Sequence, residues 1–257
     1  MQTGAALAVE TQGLTRRFGD IVAVDRLDLR VARGTFYGFL GPNGAGKSTT
    51  IKMLTGLLAP TGGTMRVLGQ DLSDTDGARE TRRRIGVVPE QLALFDNLTA
   101  REYLTFIGRM YRLPPATVRD RCRELLAMMS LENEEKKLTL EYSHGMKKKL
   151  SLAAALIPAP DILFLDEPFE GIDAVSSRAL RDVLKRCVQH GATVFLTSHV
   201  LEIVEKLCTD VGIIANGGLV YQGTMDEVCR SGSLEDQFLK AVGQGQIERQ
   251  TLSWLEG

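Results

Sequence analysis

Residues 34–54 read GTFYGFLGPNGAGKSTTIKML. Residues 34–41 carry the short apolar run of a strand, and apolar residues at 51, 54, 57 and 58 then recur at helical spacing. Between them, GPNGAGKS (41–48) fits G-x-x-x-x-G-K-[ST] at every position, in the strand, loop and helix context that the pattern requires. Glycines at 41, 44 and 46 let successive backbone N–H groups converge on one phosphate with no side chain in the way. A helix starting near Lys47 adds its positive end and free amides, Lys47 reaches the β and γ oxygens, and Ser48 offers its hydroxyl to Mg²⁺. Pro42, Asn43, Ala45 and Thr49 complete the expected contact set. The implied ligand is a nucleoside triphosphate with magnesium.

Outward from this loop, ILFLDE (162–167) places two acids at the tip of an apolar run, as in a central strand buried on both faces. Asp166 is expected in the Mg²⁺ shell, and Glu167 beside the γ-phosphate, where a carboxylate takes the proton of an attacking water. Further strands are expected at 192–198 and 211–215, with helices to Ile157, near 176–190 and over 200–208. Alternating strand and helix implies a mainly parallel sheet. Asn216-Gly217-Gly218 reads as a hairpin turn into LVYQG. Val9 to Val31 alternates apolar and polar residues, as antiparallel strands do. From Asn97 the pattern is helical: Thr99 and Glu102 fit a capping box. Tyr103, Ile107, Met110 and Tyr111 form one stripe, Val118, Cys122, Leu125 and Met129 a second, and Pro114 and Pro115 break the two apart.

The 257 residues are 44% hydrophobic and 25% charged, with 31 basic against 32 acidic side chains and a net charge of −1. That balance excludes a whole-chain basic field, so no nucleic-acid partner is expected. Cysteines at 122, 187, 208 and 229 have no metal-ligand spacing, and reduced thiols are expected. The N-terminus lacks a secretory pattern and no run of 18 apolar residues occurs, so the chain is not expected to cross a membrane. Arg82–Arg84 and Lys147–Lys149 read as solvated faces, and Leu92, Leu94 and Phe95 as a docking groove.

Over about residues 8–240 the chain resembles the ATP-binding subunits of ABC transporters. GPNGAGKS resembles the Walker A motif, and ILFLDE resembles Walker B with its catalytic glutamate, Glu167. YSHGM (142–146) resembles the family signature, with Ser143 and Gly145 kept and His144 and Met146 in place of the usual Gly and Gln. EGID (170–173) resembles the D-loop, His199 the switch histidine, and Phe18 the aromatic that stacks on adenine. VPEQLALFDNLT (88–99) resembles the Q-loop, with either Glu90 or Gln91 as the Mg²⁺ ligand.

The resemblance implies an α/β P-loop NTPase (RecA-like) core, mainly parallel, with an antiparallel β lobe and a helical subdomain. The expected single domain spans 8–243: lobe about 8–33, core about 34–96 and 143–223, helical part about 97–142, then a polar tail at 244–257. It implies an ATPase using ATP and Mg²⁺ in a homodimer or paired dimer, the signature and Asp173 of one copy closing over the ATP of the other. It also implies separate membrane-spanning permease subunits, a peripheral place on the cytoplasmic face of the membrane and, from YSHGM with FEGID, export. A regulatory, translation-linked or DNA-repair ATPase is the alternative; the interval between phosphate loop and signature carries no sustained heptads for the coiled coil of a repair head.

Overall fold

Two hydrophobic periodicities produce two sheets. The computed structural model describes residues 6–72 and 75–243; the expected polar tail, 244–257, lies outside the described residues. In chain order, β1 (Leu7–Phe18), β2 (Ile21–Leu27) and β3 (Arg30–Ala32) precede β4 (Phe36–Leu40), which runs through the phosphate loop into α1 (Lys47–Leu54). Next come β5 (Gly62–Val67), α2 (Thr75–Arg83) and β6 (Ile85–Val88), then α3 (Ala100–Met110) and α4 (Pro115–Met128). The alternation resumes with α5 (His144–Leu156), β7 (Ile162–Asp166), α6 (Ala174–Gln189), β8 (Thr193–Ser198), α7 (Leu201–Leu207) and β9 (Asp210–Ala215). The chain closes on β10 (Gly218–Thr224), α8 (Met225–Ser231) and α9 (Leu234–Val242).

The larger sheet has the order β10-β9-β4-β8-β7-β6 and is parallel except for β10. Every residue of β4, β7 and β8 is buried, because both faces are covered; this is why these strands read as mainly apolar runs without alternation. Their registers set Leu40 opposite Ser198 and Asp166 opposite Thr197, so the phosphate loop, the two acids and the segment leading to His199 emerge at one edge. The hairpin at Asn216-Gly217 forms between β9 and β10 as expected, and the Gly217 amide donates to the Ala45 carbonyl at 3.1 Å, bracing the loop from behind.

The antiparallel sheet joins β1 to β2, β3 and β5. β5 comes from the stretch after α1, yet it pairs with β1 from Val9 opposite Val67 to Thr15 opposite Gly62, turning Met65 and Val67 inward. Between the sheets lies an aromatic stack in which Phe195 sits 5.3 Å from Tyr37 and 5.4 Å from both Phe39 and Phe164, centroid to centroid. The opposite face packs Phe36, Leu40, Leu163 and Leu165 against α5 and α6 and the helical insertion.

In the insertion, α3 starts with the expected capping box: the Thr99 amide donates to Glu102 Oε2 at 2.9 Å, and the Glu102 amide donates back to Thr99 Oγ1 at 3.3 Å. The second stripe is buried throughout, whereas Met110 of the first is exposed and Leu104 is buried on α3 instead. α3 ends before the prolines, with Arg112 in a left-handed turn, and Pro115 is the first residue of α4, where its missing amide costs nothing. Three helices are not assigned from sequence, α2, α8 and α9; the last two begin at the capping boxes Thr224/Glu227 and Ser233/Asp236.

Phe195→Ala empties the centre of the aromatic stack and is expected to cost about 3–5 kcal/mol of unfolding free energy, read from the midpoint of a urea titration.

Candidate functional site

The phosphate loop is shaped by what surrounds it. Gly46, the residue before α1, has φ 107°, and a Cβ there would fall 2.5 Å from the Ala23 carbonyl oxygen. A Cβ on Gly41 would fall 2.5 Å from the Ile214 carbonyl oxygen. Among the described residues no side chain caps α1, so its first amides are open to an anion. A cleft of about 260 Å³ lies over them, lined by the expected Pro42, Asn43, Gly44, Gly46, Lys47, Ser48 and Thr49, and by Ala23 from β2, Glu90 and Glu167. Ala45 does not line it; its amide donates to the Pro42 carbonyl at 3.1 Å, within the loop. Gln91 is exposed and outside the cleft, while the adjacent Glu90 is part of it.

Lys47 is buried and folded back on its own loop, donating to the carbonyls of Gly41 at 2.8 Å and Pro42 at 3.3 Å. Its Nζ is also 3.5 Å from Glu167 Oε1. The ammonium is therefore stored on weak acceptors, from which a phosphate oxygen with its full charge would draw it.

Two acids end β7. The Thr197 hydroxyl donates to Asp166 Oδ1 at 2.6 Å and accepts from the Glu167 amide at 3.0 Å, so one side chain of the neighbouring strand holds both. Glu167 is buried with φ 48°, a left-handed conformation that costs a non-glycine residue about 1–3 kcal/mol. That turn throws the carboxylate back over the sheet edge. Oε2 lies 3.0 Å from His199 Nδ1, which donates when the carboxylate is ionised. Oε1 has no hydrogen-bond partner among the described residues although it is buried. Its charged neighbour is Lys47 at 3.5 Å, so it is a buried acceptor beside the phosphate loop with hydrogen-bonding capacity to spare, as a proton-accepting base requires.

The remaining expected residues lie elsewhere. Ser143 caps α5, its hydroxyl accepting from the Met146 amide at 3.3 Å. Asp173 caps α6, accepting from the Ser176 amide at 2.8 Å and the Ser176 hydroxyl at 2.7 Å. These two bonds hold its carboxyl below the usual aspartate range. Gly145 is buried against this cap: a Cβ on it would lie 3.4 Å from Asp173 Oδ2. The exposed His144 ring lies beside Gly171. Ser143, Gly145 and Asp173 thus form one surface, and none of them lines the cleft around Lys47. Phe18 is half-exposed at the end of β1, also outside the cleft, with the Arg16 guanidinium 4.5 Å over one face of its ring.

The lysine triplet after the signature is not a solvated face. Lys148 and Lys149 are buried, and Lys148 Nζ donates to the Glu167 carbonyl at 2.7 Å. Burial lowers the Lys148 pKa, opposed by the nearby carboxylates of Glu170, Glu167, Glu90 and Asp166. Helical numbering alone places 148 on the buried side of α5, the side of Ser151 and Leu152, and that is the signal by which it was open to detection. Ala23, which lines the cleft, and the buried Thr197, which holds Asp166 and Glu167 from behind it, carry no motif of their own. In the other basic triplet, Arg82 donates to the Leu72 carbonyl at 3.2 Å and Arg84 pairs with Asp161, so these too serve the fold. Leu92 and Leu94 pack against the core, whereas Phe95 is exposed, edge-on to Phe106 and Tyr103.

The model of the ABC transporter family matches residues 24–170. The chain belongs to this family. It is 40% identical over 228 residues to a daunorubicin/doxorubicin resistance ATP-binding protein of Streptomyces peucetius, spanning 89% of this chain and 68% of that one. A solved ATP-binding subunit of an ABC transporter superposes with a TM-score of 0.85 at 30% identity, over 92% of this chain and 100% of that one. An ATP-binding cassette solved as a dimer in a post-hydrolysis state, bound to ADP and Pi, gives a TM-score of 0.77 at 25% identity, over 84% and 98% of the two chains. This ABC subunit binds ATP and hydrolyses it to drive transport. Among its described residues no helix is long and apolar enough to cross a membrane.

Thr197→Val keeps the shape of the side chain and removes the hydroxyl shared by Asp166 and Glu167. Leaving the buried Glu167 amide unpaired is expected to lower stability by about 1–3 kcal/mol, measured by denaturant unfolding, and to lower kcat while the protein remains folded.

Proposed function

We propose that this subunit works as a head-to-tail pair in which each copy's phosphate cleft is closed by the Ser143–Gly145 tip and Asp173 of the other, and that the pair powers export. The observation that carries this reading is the separation just described. The cleft holds the loop, Glu90 and Glu167, while the tip of α5 and the Asp173 cap form a second polar surface outside it. One chain has both halves of a phosphate site but does not join them, and a two-fold pair joins each half to its complement twice.

Within each site, Lys47 leaves the Gly41 and Pro42 carbonyls for the β and γ oxygens, and the α1 amides take the remaining phosphate charge. Glu167 accepts the proton of the attacking water through Oε1, while His199 holds Oε2. Phe18, backed by Arg16, offers its free face to adenine. Ser48, Asp166 and Glu90 are hard oxygen donors that suit Mg²⁺, an ion that keeps waters and takes only one or two carboxylates beside the phosphates. When bound, that ion neutralises charge between the β and γ groups. ATP favours the closed pair and its hydrolysis the open one; a swing from 1:99 to 99:1 requires about 5.5 kcal/mol of differential binding, within reach of several charge-assisted phosphate bonds.

The resistance role of the Streptomyces relative supports outward movement of a drug-like cargo, since resistance requires a lower internal concentration. The cargo path then belongs to separate membrane-spanning subunits, with this protein as a homodimer or paired with a second ATPase on the cytoplasmic face. The exposed Phe95 and Phe106 edge is the proposed contact with those subunits, and the near-neutral charge gives nucleic acid no footing.

Glu167→Gln is expected to keep ATP affinity, to lower hydrolysis by at least about a hundredfold, and to accumulate an ATP-dependent dimer in size-exclusion chromatography. Hydrolysis at the wild-type rate rejects the role given to Glu167. Ser143→Arg puts a bulky cation on the α5 tip; ATP affinity measured by calorimetry on the monomer should be unchanged while the ATP-dependent dimer is lost.

A further inference from the structure

Lys148 is a buried ionisable group that the mechanism above leaves unused. It stands on the second turn of α5, the helix whose tip carries Ser143 and Gly145, and its side chain runs inward to donate to the main-chain carbonyl of Glu167 at 2.7 Å. A buried ammonium gives up its hydration, and such a group persists where its bonds are specific and its surroundings acidic. Here burial lowers its pKa while Glu170, Glu167, Glu90 and Asp166 favour the charged form.

The target of that bond is unusual. Glu167 is in the left-handed region, φ 48°, so its carboxylate direction depends on the two peptide groups that flank it. The amide on one side is held by Thr197 Oγ1 at 3.0 Å, and the carbonyl on the other by Lys148. Thr197 belongs to β8, a central strand of the rigid sheet, whereas Lys148 belongs to α5, whose exposed tip is the part that meets the other copy. One anchor is fixed and the other is attached to the element that senses the partner's nucleotide.

We infer that Lys148 is a positioning residue that ties the signature end of α5 to the catalytic carboxylate of the same chain. Seating of the α5 tip on the partner's phosphate shifts the helix, and Lys148 carries the shift to the backbone of Glu167, turning Oε1 toward the water only when the pair is closed. Two sites that share no residue are thereby coupled, because each chain's tip reads one nucleotide while its Glu167 acts on the other. No covalent bond changes in this step. The inference rests on the roles proposed for Ser143 and Glu167.

The test compares Lys148→Met, Lys148→Arg and Glu167→Gln in the full chain, with ATP affinity from calorimetry, dimer formation from size-exclusion chromatography, and steady-state kcat and KM for ATP. Lys148→Met is expected to bind ATP and dimerise as the wild type does, with kcat lower by about tenfold to a hundredfold, the span set by losing one charged hydrogen bond. Lys148→Arg, which keeps a charged donor, is expected to recover most of the rate. A Lys148→Met protein with wild-type kcat overturns the inference, as does loss of ATP affinity and kcat together without recovery in Lys148→Arg, the pattern of a purely structural lysine. Should Lys148→Met not fold, Lys148→Gln is read by the same criteria. Wild-type hydrolysis by Glu167→Gln would instead remove the base reading itself, whatever the lysine variants do.

Discussion

A sheet covered on both faces has no interior place for charge, and the functional chemistry of this protein is arranged around that constraint. β4, β7 and β8 are mainly apolar, and the one charged side chain among them, Asp166, stands where its strand runs out. The parallel registers bring Leu40, Asp166 and Ser198 out at one level, so three separate stretches of chain deliver a glycine loop, two carboxylates and a histidine to the same edge. If one strand slipped by a residue, every buried side chain would exchange faces, and the apolar stack around Phe195 forbids that. The core thereby sets the accuracy of the site.

Within the site the groups restrain one another. Lys47 rests on loop carbonyls and faces Glu167, and Glu167 is held through His199, Thr197 and Lys148. Each of these bonds removes a freedom that would otherwise be lost when nucleotide binds, which is how a preorganised site lowers its reorganisation cost. The left-handed backbone of Glu167 is strain retained in a place where surrounding bonds over-determine it. Glu167 Oε1, which makes no hydrogen bond among the described residues, is the carboxylate oxygen 3.5 Å from Lys47.

The same folding leaves a second polar surface unused by its own chain. Ser143 and Asp173 each cap a helix, and Gly145 packs against the Asp173 cap, so the positions of these three residues are fixed by the fold of their own chain. Two prepared half-sites on one molecule, in a family with a solved dimer holding ADP and Pi, form the physical basis of the proposed pairing. Lys148 links the halves from inside, which gives the proposed closure a route to the chemistry.

The phosphate loop, the DE strand tip and the Thr99 capping box were legible in the sequence because each depends on residues within one turn or one strand of one another. β5 was not, since a strand rich in Gly and Thr finds its place only by pairing with β1, and Met110 was misplaced on its stripe because packing of the whole insertion, not periodicity, chose Leu104 for the interior. The choice of Glu90 over Gln91 as the residue lining the cleft, the burial of Lys148 and the bridging role of Thr197 depend on distances between strands and helices far apart in the chain. The sequence by itself determined the strand and helix alternation and the phosphate-binding chemistry, because those arise from local backbone geometry and residue type. Only the tertiary structure decided which polar groups share a site, because hydrogen bonds and buried charges are satisfied across the fold and not along the chain.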